Sequence, residues 1–534
     1  MIDVLIIGSG GAGLTAALAA KKEGALVSVA GKAYPTNAQT SMAQGGINAA
    51  LGNVGEDHIS SHIADTIKSA KGLCNESMVR QMCTDAPETM AWLERLGVPF
   101  SRLDNGETGT QTIAQRQMGG ASAKRACYAQ DYTGLKILHT LYDTCLKEEI
   151  DFLDEHYLLN LITQDETVKG ATFLDIRTGE VKQIDAKSVV IATGGYGALY
   201  HGFTTNAYGS TGDGVAAVLR AGGAVSDMEF VQFHPTALKH SSILVSESAR
   251  GEGGYLVNEK GERFVDELKP RDEVARAIFG QIKEGQRVFL DVRHLGEEKL
   301  MELLPQEVEL CKLHEHVDPA KELIPIKPVA HYTMGGIDVN AMLEVNGIKG
   351  CFAVGECSNA KVHGANRLGG NSLLEITAFG KVAGANAYKY ALNASDTPAD
   401  DTQRQKDAKE MGTLLSQKEP VNFYPYRERL GDLFYHKVGI VRENDQLHEA
   451  LSEVSMMQEM QKEMGVADKS PTNNQNLIEF LEFQNALLLA PTIITSAIAR
   501  DESRGAHYKI GFESENETLK KHSIYQWKKE ETCK

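Results

Sequence analysis

The sequence is poor in several features that mark large classes of proteins. Its eight cysteines include no Cys-x-x-Cys pair, which disfavours an internal iron–sulfur cluster or a zinc ribbon. A disulfide framework is also implausible in a chain of 534 residues with so few cysteines. Basic residues are in deficit, since 55 Lys and Arg against 72 Asp and Glu give a formal net charge of −17. That charge repels phosphate and argues against a nucleic acid partner.

Long hydrophobic runs are also missing. The longest mostly apolar run, 486–499, has 14 residues and contains a proline and three hydroxyl side chains. It is shorter than the roughly 20 residues that cross a bilayer, and it is typical of a buried helix. The chain starts Met-Ile-Asp directly before an apolar strand, without a basic segment or a cleavage site. We therefore expect a cytoplasmic protein, peripheral on the cytoplasmic membrane face only where partner subunits place it there.

Glycine, in contrast, is abundant, with 51 residues. The apolar run 4–7 predicts a buried strand, and the sequence GSGGAG at 8–13 separates it from a helical segment. This order predicts a doubly wound α/β domain in which a nucleotide pyrophosphate lies at the helix N-terminus. After the second predicted strand, 25–30, a Gly-Lys pair stands where an NAD-binding domain usually has an acidic residue. We therefore expect a longer segment to hold the nucleotide.

Such a segment follows at 31–46, where small residues, hydroxyls and amides suit backbone wrapped around a flat ring system. Asp213, in the turn TGDG, offers a carboxylate, although turn formation alone also explains an aspartate there. A helical pattern begins near Ser372, and its positive end could stabilise the pyrimidine edge of a reduced flavin. Beyond about residue 393 the sequence predicts further helices, at 400–415, 447–464 and 477–498.

Six longer motifs identify a family. They are AQGGINAA (43–50), QFHPT (232–236), RGEGG (250–254), HYTMGG (331–336), HGANRLGGNSL (363–373) and ESRGAH (502–507). In these motifs and their order the chain resembles the flavoprotein subunits of the succinate dehydrogenase/fumarate reductase family, with L-aspartate oxidase as the nearest cousin. The fold expected is a doubly wound α/β FAD-binding domain (1–228 and 334–395), interrupted by an α+β capping domain (229–333). A C-terminal helical domain and tail (396–534) follow.

The resemblance implies FAD as the cofactor and assigns its contacts position by position. They lie in the glycine loop, in the segment after the second strand, in the TGDG turn, in the Gly-Glu pair after a third strand and at the head of the last helix of the FAD-binding domain. The matching residues are Gly8, Gly10, Gly11, Ala12, Gly13, Lys32, Thr40, Ser41, Ala43, Gln44, Gly45, Gly46, Asp213, Glu356, Ser372 and Leu373.

The resemblance also implies a site for fumarate and succinate. His234, His331 and Arg367 match the carboxylate-binding residues of the family, in which a guanidinium fork and two imidazoles supply directed donors. Taken singly, each histidine is more simply structural, but their placement in matched motifs favours the binding role. Ser246 stands where the family usually has threonine, so the substrate-binding hydroxyl is kept and one methyl group is lost.

Three further residues match the proton-transfer machinery of the family. Arg271 matches the general acid, which is an unusual role for arginine and requires a desolvated site close to the developing carbanion. Glu247 and Arg250 match the relay that leads to it, so that an Arg–Glu–Arg proton path is predicted. An ordinary ion pair between these two residues remains the simpler alternative.

Gln39 marks a departure from many family members. It lies six residues before Gly45, where a histidine often bonds covalently to the flavin. Glutamine cannot form that bond, so we predict non-covalent FAD. In the family, loss of the bond lowers the flavin potential, and fumarate reduction is therefore the predicted direction. Electrons are expected from an iron–sulfur partner subunit, with a membrane-anchoring or quinone- or thiol-reactive subunit beyond it.

Two other functions remain open at this stage. An L-aspartate oxidase needs a carboxylate for the substrate ammonium, but the loop 112–125 contains none and carries three cations. A flavin electron-transfer subunit without dicarboxylate activity would not need the matched histidines and arginines. No metal site is predicted, because Cys311, His314 and His316 lack a credible fourth ligand.

Overall fold

A computed structural model describes residues 1–105 and 110–527. Its largest sheet has seven strands and contains the predicted first strand at its centre, between parallel neighbours. The strand order is Asp151–Leu153, Val27–Ala30, Ile2–Ile7, Val181–Ile191, Thr167–Asp175 and His156–Gln164, and Cys351–Ala353 pairs in parallel with Val181–Ile191. The first five residues of Val181–Ile191 pair with an antiparallel strand, and the rest pair with parallel ones.

Helices cover this sheet because its central strands are apolar on both faces. Val4, Leu5 and Ile6 are fully buried. The helices Gly11–Lys22 and Asn371–Ala391 pack against each other and against these strands. Other helices of this part are Ile59–Ser69, Glu76–Leu96, Thr133–Lys147 and Asp213–Arg220. Short strands here are Ile47–Asn48, Arg102–Asn105, Thr110–Ile113, Gln115–Arg116, Ala126–Cys127, Ala224–Ser226, Gly336–Asp338 and Ser358–Asn359.

A second, antiparallel sheet forms between residues 231 and 333. Its strand order is Val231–Leu238, Ile324–Thr333, Val288–Asp291 and Tyr255–Asn258. Its helices are Glu247–Gly251, Arg271–Lys283, Glu297–Leu303 and Pro305–His314. Leu256, Val274 and Leu290 belong to a hydrophobic core separate from that of the large sheet. This α+β unit has the composition expected of an inserted capping domain.

The C-terminal part is mainly helical. Its helices are Thr402–Ser416, Tyr424–Lys437, Asn444–Met460 and Gln475–Ala499, with a small sheet of Val421–Asn422 and Met464–Gly465. The helix Gln475–Ala499 is long and apolar enough to cross a membrane, but 78% of its most apolar window is buried inside the molecule. We therefore interpret it as a core helix. The tail returns to the body through Ile524–Gln526, which pairs with Ala224–Ser226; Cys533 lies outside the described residues.

Candidate active site

The glycine loop connects the central strand Ile2–Ile7 to the helix Gly11–Lys22. Gly8 has a φ of +116°, a conformation that side chains rarely adopt. A Cβ atom on Gly13 would overlap the carbonyl oxygen of Gly8, so the helix can approach the loop this closely only without a side chain there. The free N–H groups of the helix N-terminus therefore face the cavity, where a pyrophosphate would be stabilised.

The second predicted segment closes over this loop. The backbone N–H of Gly11 donates to Thr40 Oγ1 at 3.1 Å. Lys32 Nζ lies 2.6 Å from both Asp213 Oδ2 and Glu482 Oε1. Burial alone would lower the pKa of Lys32, but the two carboxylates outweigh it and raise that pKa. Glu482 comes from the C-terminal helix, so this helix braces the cofactor segment.

One continuous cavity joins the glycine loop to the predicted catalytic residues. It is lined by Gly8, Gly10, Gly11, Ala12, Lys32, Thr40, Ala43, Gln44, Gly45, Gly46, Asp213, Glu356, Ser372 and Leu373. It is also lined by Gln39, His234, Ser246, Glu247, Arg271, His331 and Arg367. Among the predicted residues, Gly13, Ser41 and Arg250 lie behind its wall rather than on it.

A second helix N-terminus lies along the same cavity. The helix Asn371–Ala391 starts after Gly370, and its first turn places Ser372 and Leu373 on the wall. Buried His62 lies 2.9 Å from Asn371 Oδ1 and fixes this end of the helix. A long cavity with a helix N-terminus at two places suits FAD, because one helix favours the pyrophosphate and the other favours the electron-rich edge of a flavin.

Glu356 supplies a buried carboxylate on the wall of this cavity. Its Oε1 accepts hydrogen bonds from the backbone N–H and the hydroxyl of Thr333, at 3.0 and 3.2 Å. Burial raises the pKa of Glu356 to about 7. A carboxyl group in this state can accept hydrogen bonds from ribityl hydroxyls, which fits the role that the resemblance implied.

At the other end of the cavity, Arg271 and Glu247 form a buried ion pair. Arg271 begins the helix Arg271–Lys283, and its Nε donates to Glu247 Oε2 at 2.8 Å. Glu247 Oε1 accepts from the backbone N–H of Gly119 at 2.7 Å. Burial would raise the pKa of Glu247, but the charges of Arg271 and Arg250 lower it, so that its carboxylate is ionised. The predicted acid and the first relay residue are therefore in direct contact.

Gln232 joins the two arginines of the site. Its Oε1 accepts from Arg271 Nη1 at 3.0 Å and from Arg367 Nη2 at 3.1 Å. Its amide nitrogen donates to Asn366 Oδ1 at 2.7 Å, which fixes the orientation of the group. Sequence reasoning missed Gln232, although it opens the motif that contains His234. Burial, followed by the charge of Arg271, lowers the pKa of Arg367 to about 10.

The two predicted histidines lie next to each other, with ring centroids 4.9 Å apart. His234 Nε2 lies 3.0 Å from the carbonyl oxygen of Val245, and His331 Nδ1 lies 2.7 Å from Thr205 Oγ1. Burial, followed by the charge of Arg271, lowers the pKa of both well below its usual value, so both rings are neutral. Two cationic forks and two neutral imidazoles at one end of a cavity can bind a dianion.

Arg250 departs from the predicted relay geometry. Its Nη1 donates to the carbonyl oxygen of Glu267 at 2.7 Å, and its Nε and Nη2 are buried without a hydrogen-bond partner in the described part of the chain. Burial lowers its pKa to about 10. Arg250 therefore acts on Glu247 through its charge, whereas Glu247 and Arg271 are joined by hydrogen bonds.

Ser246 and Gln39 also take specific partners. Ser246 caps the helix Glu247–Gly251, because its Oγ accepts from the N–H of Ser248 at 3.2 Å. Gln39 Oε1 accepts from the N–H of Ala207 at 2.8 Å. Within residues 1–105 and 110–527, no group of three or more His, Cys, Asp or Glu side chains could hold a metal ion.

Comparison with known proteins identifies the family. The family described as "FAD binding domain" matches residues 3–373, and "Fumarate reductase flavoprotein C-term" matches residues 427–534. The fumarate reductase flavoprotein subunit of Serratia sp. is 38% identical, over 95% of this chain and 89% of its own length. The succinate dehydrogenase flavoprotein subunit of Rickettsia felis is also 38% identical, over 96% and 91%.

A solved structure of quinol fumarate reductase from E. coli is 36% identical and superposes with a TM-score of 0.91, covering 98% of this chain and 94% of that one. Its similarity extends over the glycine loop, the capping unit and the C-terminal helices alike. The resemblance stated from the motifs and the expected fold class are thus confirmed. The chain belongs to the FAD-dependent flavoprotein subunits of the fumarate reductase/succinate dehydrogenase family.

Proposed function

We propose that this chain reduces fumarate to succinate as the catalytic flavoprotein of a larger complex. The observation that carries the proposal is the pair Arg271 and Arg367, held side by side by Gln232 next to the neutral rings of His234 and His331. Two adjacent buried cations are costly to maintain, and a dicarboxylate would neutralise them. The pocket thus favours a small dianion over a neutral or cationic substrate.

Free donors remain for the carboxylates of such a substrate. Arg367 Nε and His234 Nδ1 are buried atoms without a hydrogen-bond partner among the described residues. Both residues line the cavity. We assign Arg367, His234 and His331 to binding and orienting the substrate, with Ser246 as a further hydroxyl on the wall.

Reduction of fumarate requires one hydride and one proton on adjacent carbons. FAD, when bound in its reduced form, supplies the hydride. Arg271 donates the proton to the neighbouring carbon, and Glu247 holds its guanidinium in place and returns a proton to it. Arg250 keeps Glu247 ionised through its charge. These roles follow the general pattern in which a proton donor is positioned and desolvated before the reaction.

The capping unit completes the site. Arg271 and Glu247 come from this unit, whereas Arg367 and the glycine loop come from the FAD-binding part. The hydrogen bond from the N–H of Gly119 to Glu247 joins the two parts. Seating of the cap would therefore exclude water and bring Arg271 to the substrate in one movement.

We further propose an iron–sulfur partner subunit and a place for the complex at the cytoplasmic membrane face. The solved E. coli relative is named a quinol fumarate reductase. Our chain carries eight cysteines without cluster spacing, so electrons have to reach its FAD from another protein. A quinol acting through a membrane subunit or a thiol acting through a soluble subunit would serve as the donor.

Acid denaturation should release the flavin from this chain. Gln39, at the usual histidine position, has an amide group that cannot form the covalent bond, and its Oε1 is occupied by the N–H of Ala207. We expect all yellow colour in the supernatant after precipitation with acid, and unmodified FAD by mass spectrometry. Flavin that stays on the washed precipitate would contradict non-covalent binding.

The proposed activity is tested by anaerobic oxidation of a reduced viologen dye with fumarate as the acceptor. Fumarate-dependent bleaching by the purified FAD-loaded chain is the expected result. The same protein is assayed with L-aspartate and oxygen, which tests the oxidase alternative. FAD-loaded protein that is silent with both substrates would point to an electron-transfer subunit and contradict the proposal.

A further inference from the structure

A buried carboxylate links the capping unit to the FAD-binding part beside the substrate pocket. Glu307 lies in the first turn of the helix Pro305–His314 and is 5% exposed. Its Oε1 accepts from the backbone N–H of Ser246 at 2.8 Å. Its own N–H donates to Asp131 Oδ2 at 3.0 Å. Asp131 comes from the FAD-binding part, directly before the helix Thr133–Lys147.

The contact with Ser246 fixes more than one residue. Ser246 caps the helix Glu247–Gly251, which carries both Glu247 and Arg250. Glu247 in turn holds Arg271. A displacement of Ser246 would therefore move the cavity wall and the proton-transfer residues together.

We propose that Glu307 is a positioning residue for fumarate reduction, which ties the helix Glu247–Gly251 to Asp131 and has to be uncharged for tight binding of the dicarboxylate. This inference rests on the proposed function. Glu307 neither lines the cavity nor matches any motif that identified the family. Its role follows from its contacts alone.

The surroundings of Glu307 favour its neutral form. Glu307 Oε2 and Asp131 Oδ1 are buried and have no hydrogen-bond partner within the described residues. Burial, reinforced by the charge of Asp131, raises the pKa of Glu307 to about 8, against the effect of the Ser246 N–H. The thiol of Cys311, on the same helix, also faces this carboxyl.

Asp131 keeps a different protonation state. Burial raises its pKa to about 6, while the N–H groups of Gln306 and Glu307 and the charge of Arg116 act in the opposite direction. At pH 7 Asp131 is therefore ionised and Glu307 is protonated. Two carboxyl groups in one buried site commonly separate in this way, because both cannot carry a charge.

The sign of the pH effect follows directly. Below pH 8 Glu307 is neutral, and the pocket keeps its net positive charge. As the pH rises through about 8, Glu307 ionises beside Ser246 and repels the dianion. We expect the KM for fumarate to rise about tenfold between pH 7 and pH 9 in the wild-type holoenzyme.

The test compares four variants of the FAD-loaded protein over this pH range, by the viologen assay and by the absorbance change of the flavin on fumarate binding. Glu307→Gln keeps an acceptor for Ser246 but cannot ionise, so the rise in KM and in Kd should disappear. Asp131→Asn removes a neighbouring charge, so the rise should begin at a lower pH. Glu307→Leu lacks the acceptor and should raise KM and lower kcat at every pH. Glu309→Gln, on an exposed position of the same helix, is the matched control.

Two results would overturn the inference. A Glu307→Gln variant whose KM rises with pH in parallel with the wild type would show that Glu307 does not control binding. An unshifted profile in Asp131→Asn would do the same if Glu307→Gln failed to retain FAD. Wild-type protein that bleaches no viologen with fumarate at any pH would instead contradict the proposed function.

Discussion

Replacing Arg271 with lysine should lower kcat for fumarate reduction by about a thousandfold while FAD remains bound. Lysine keeps a positive charge beside Glu247, so the buried carboxylate is not left without a counter-ion. It cannot, however, contact Glu247 and Gln232 simultaneously through a planar fork, as Arg271 does. The proton donor would then be displaced from the reacting carbon, and the chemical step would slow more than binding.

Steady-state kinetics with the viologen assay separates these effects. The KM for fumarate should change much less than kcat, and the flavin spectrum should be unchanged. Arg287→Lys is the matched control, because this arginine belongs to the same unit but its side chain is 67% exposed. A loss of less than tenfold in Arg271→Lys would contradict its role as the acid.

Replacing Gly13 with alanine should lower the free energy of unfolding by about 1–3 kcal/mol and remove most of the bound FAD. The new Cβ would overlap the carbonyl oxygen of Gly8, and both partners are backbone atoms that no rotamer change can separate. The helix Gly11–Lys22 would have to move away from the loop. Its N–H groups would then leave the position that favours the pyrophosphate.

Chemical denaturation of the apoprotein and flavin content after gel filtration measure the two effects independently. Gly412→Ala is the control, since this exposed glycine lies inside the helix Thr402–Ser416 with no atom within 4 Å of the new Cβ. That substitution should stabilise the protein by about 0.5–1 kcal/mol. A Gly13→Ala protein with full flavin content would mean that the loop tolerates a wider separation than the packing indicates.

The C-terminal helices show how far periodicity alone can predict structure. Three predicted helices, 400–415, 447–464 and 477–498, correspond to Thr402–Ser416, Asn444–Met460 and Gln475–Ala499. The helix Tyr424–Lys437 was not predicted, and Gly431 at its centre is unfavourable for a helix. In the structure the backbone of His201 packs against Gly431 so closely that a Cβ would not fit. A tertiary contact thus explains a residue that local propensity disfavours.

The catalytic end shows the same division. The residue types came from motifs in which each histidine and arginine is recognisable from its neighbours in sequence. Gln232 was present in one of these motifs, but its bridge between Arg271 and Arg367 joins three separate segments. Arg250 was assigned to a relay by position, yet its hydrogen bond goes to the backbone of Glu267.

The sequence by itself determined the family, the glycine loop, the nucleotide fold and most residues on the cavity wall. These depend on local requirements, such as a glycine where backbone meets backbone or an apolar run in a buried strand. Only the tertiary structure decided which charges neutralise each other, as when Lys32 meets Glu482 or Glu307 meets Ser246. A buried charge needs a partner in space, and that partner can lie anywhere along the chain, so no local pattern can predict it.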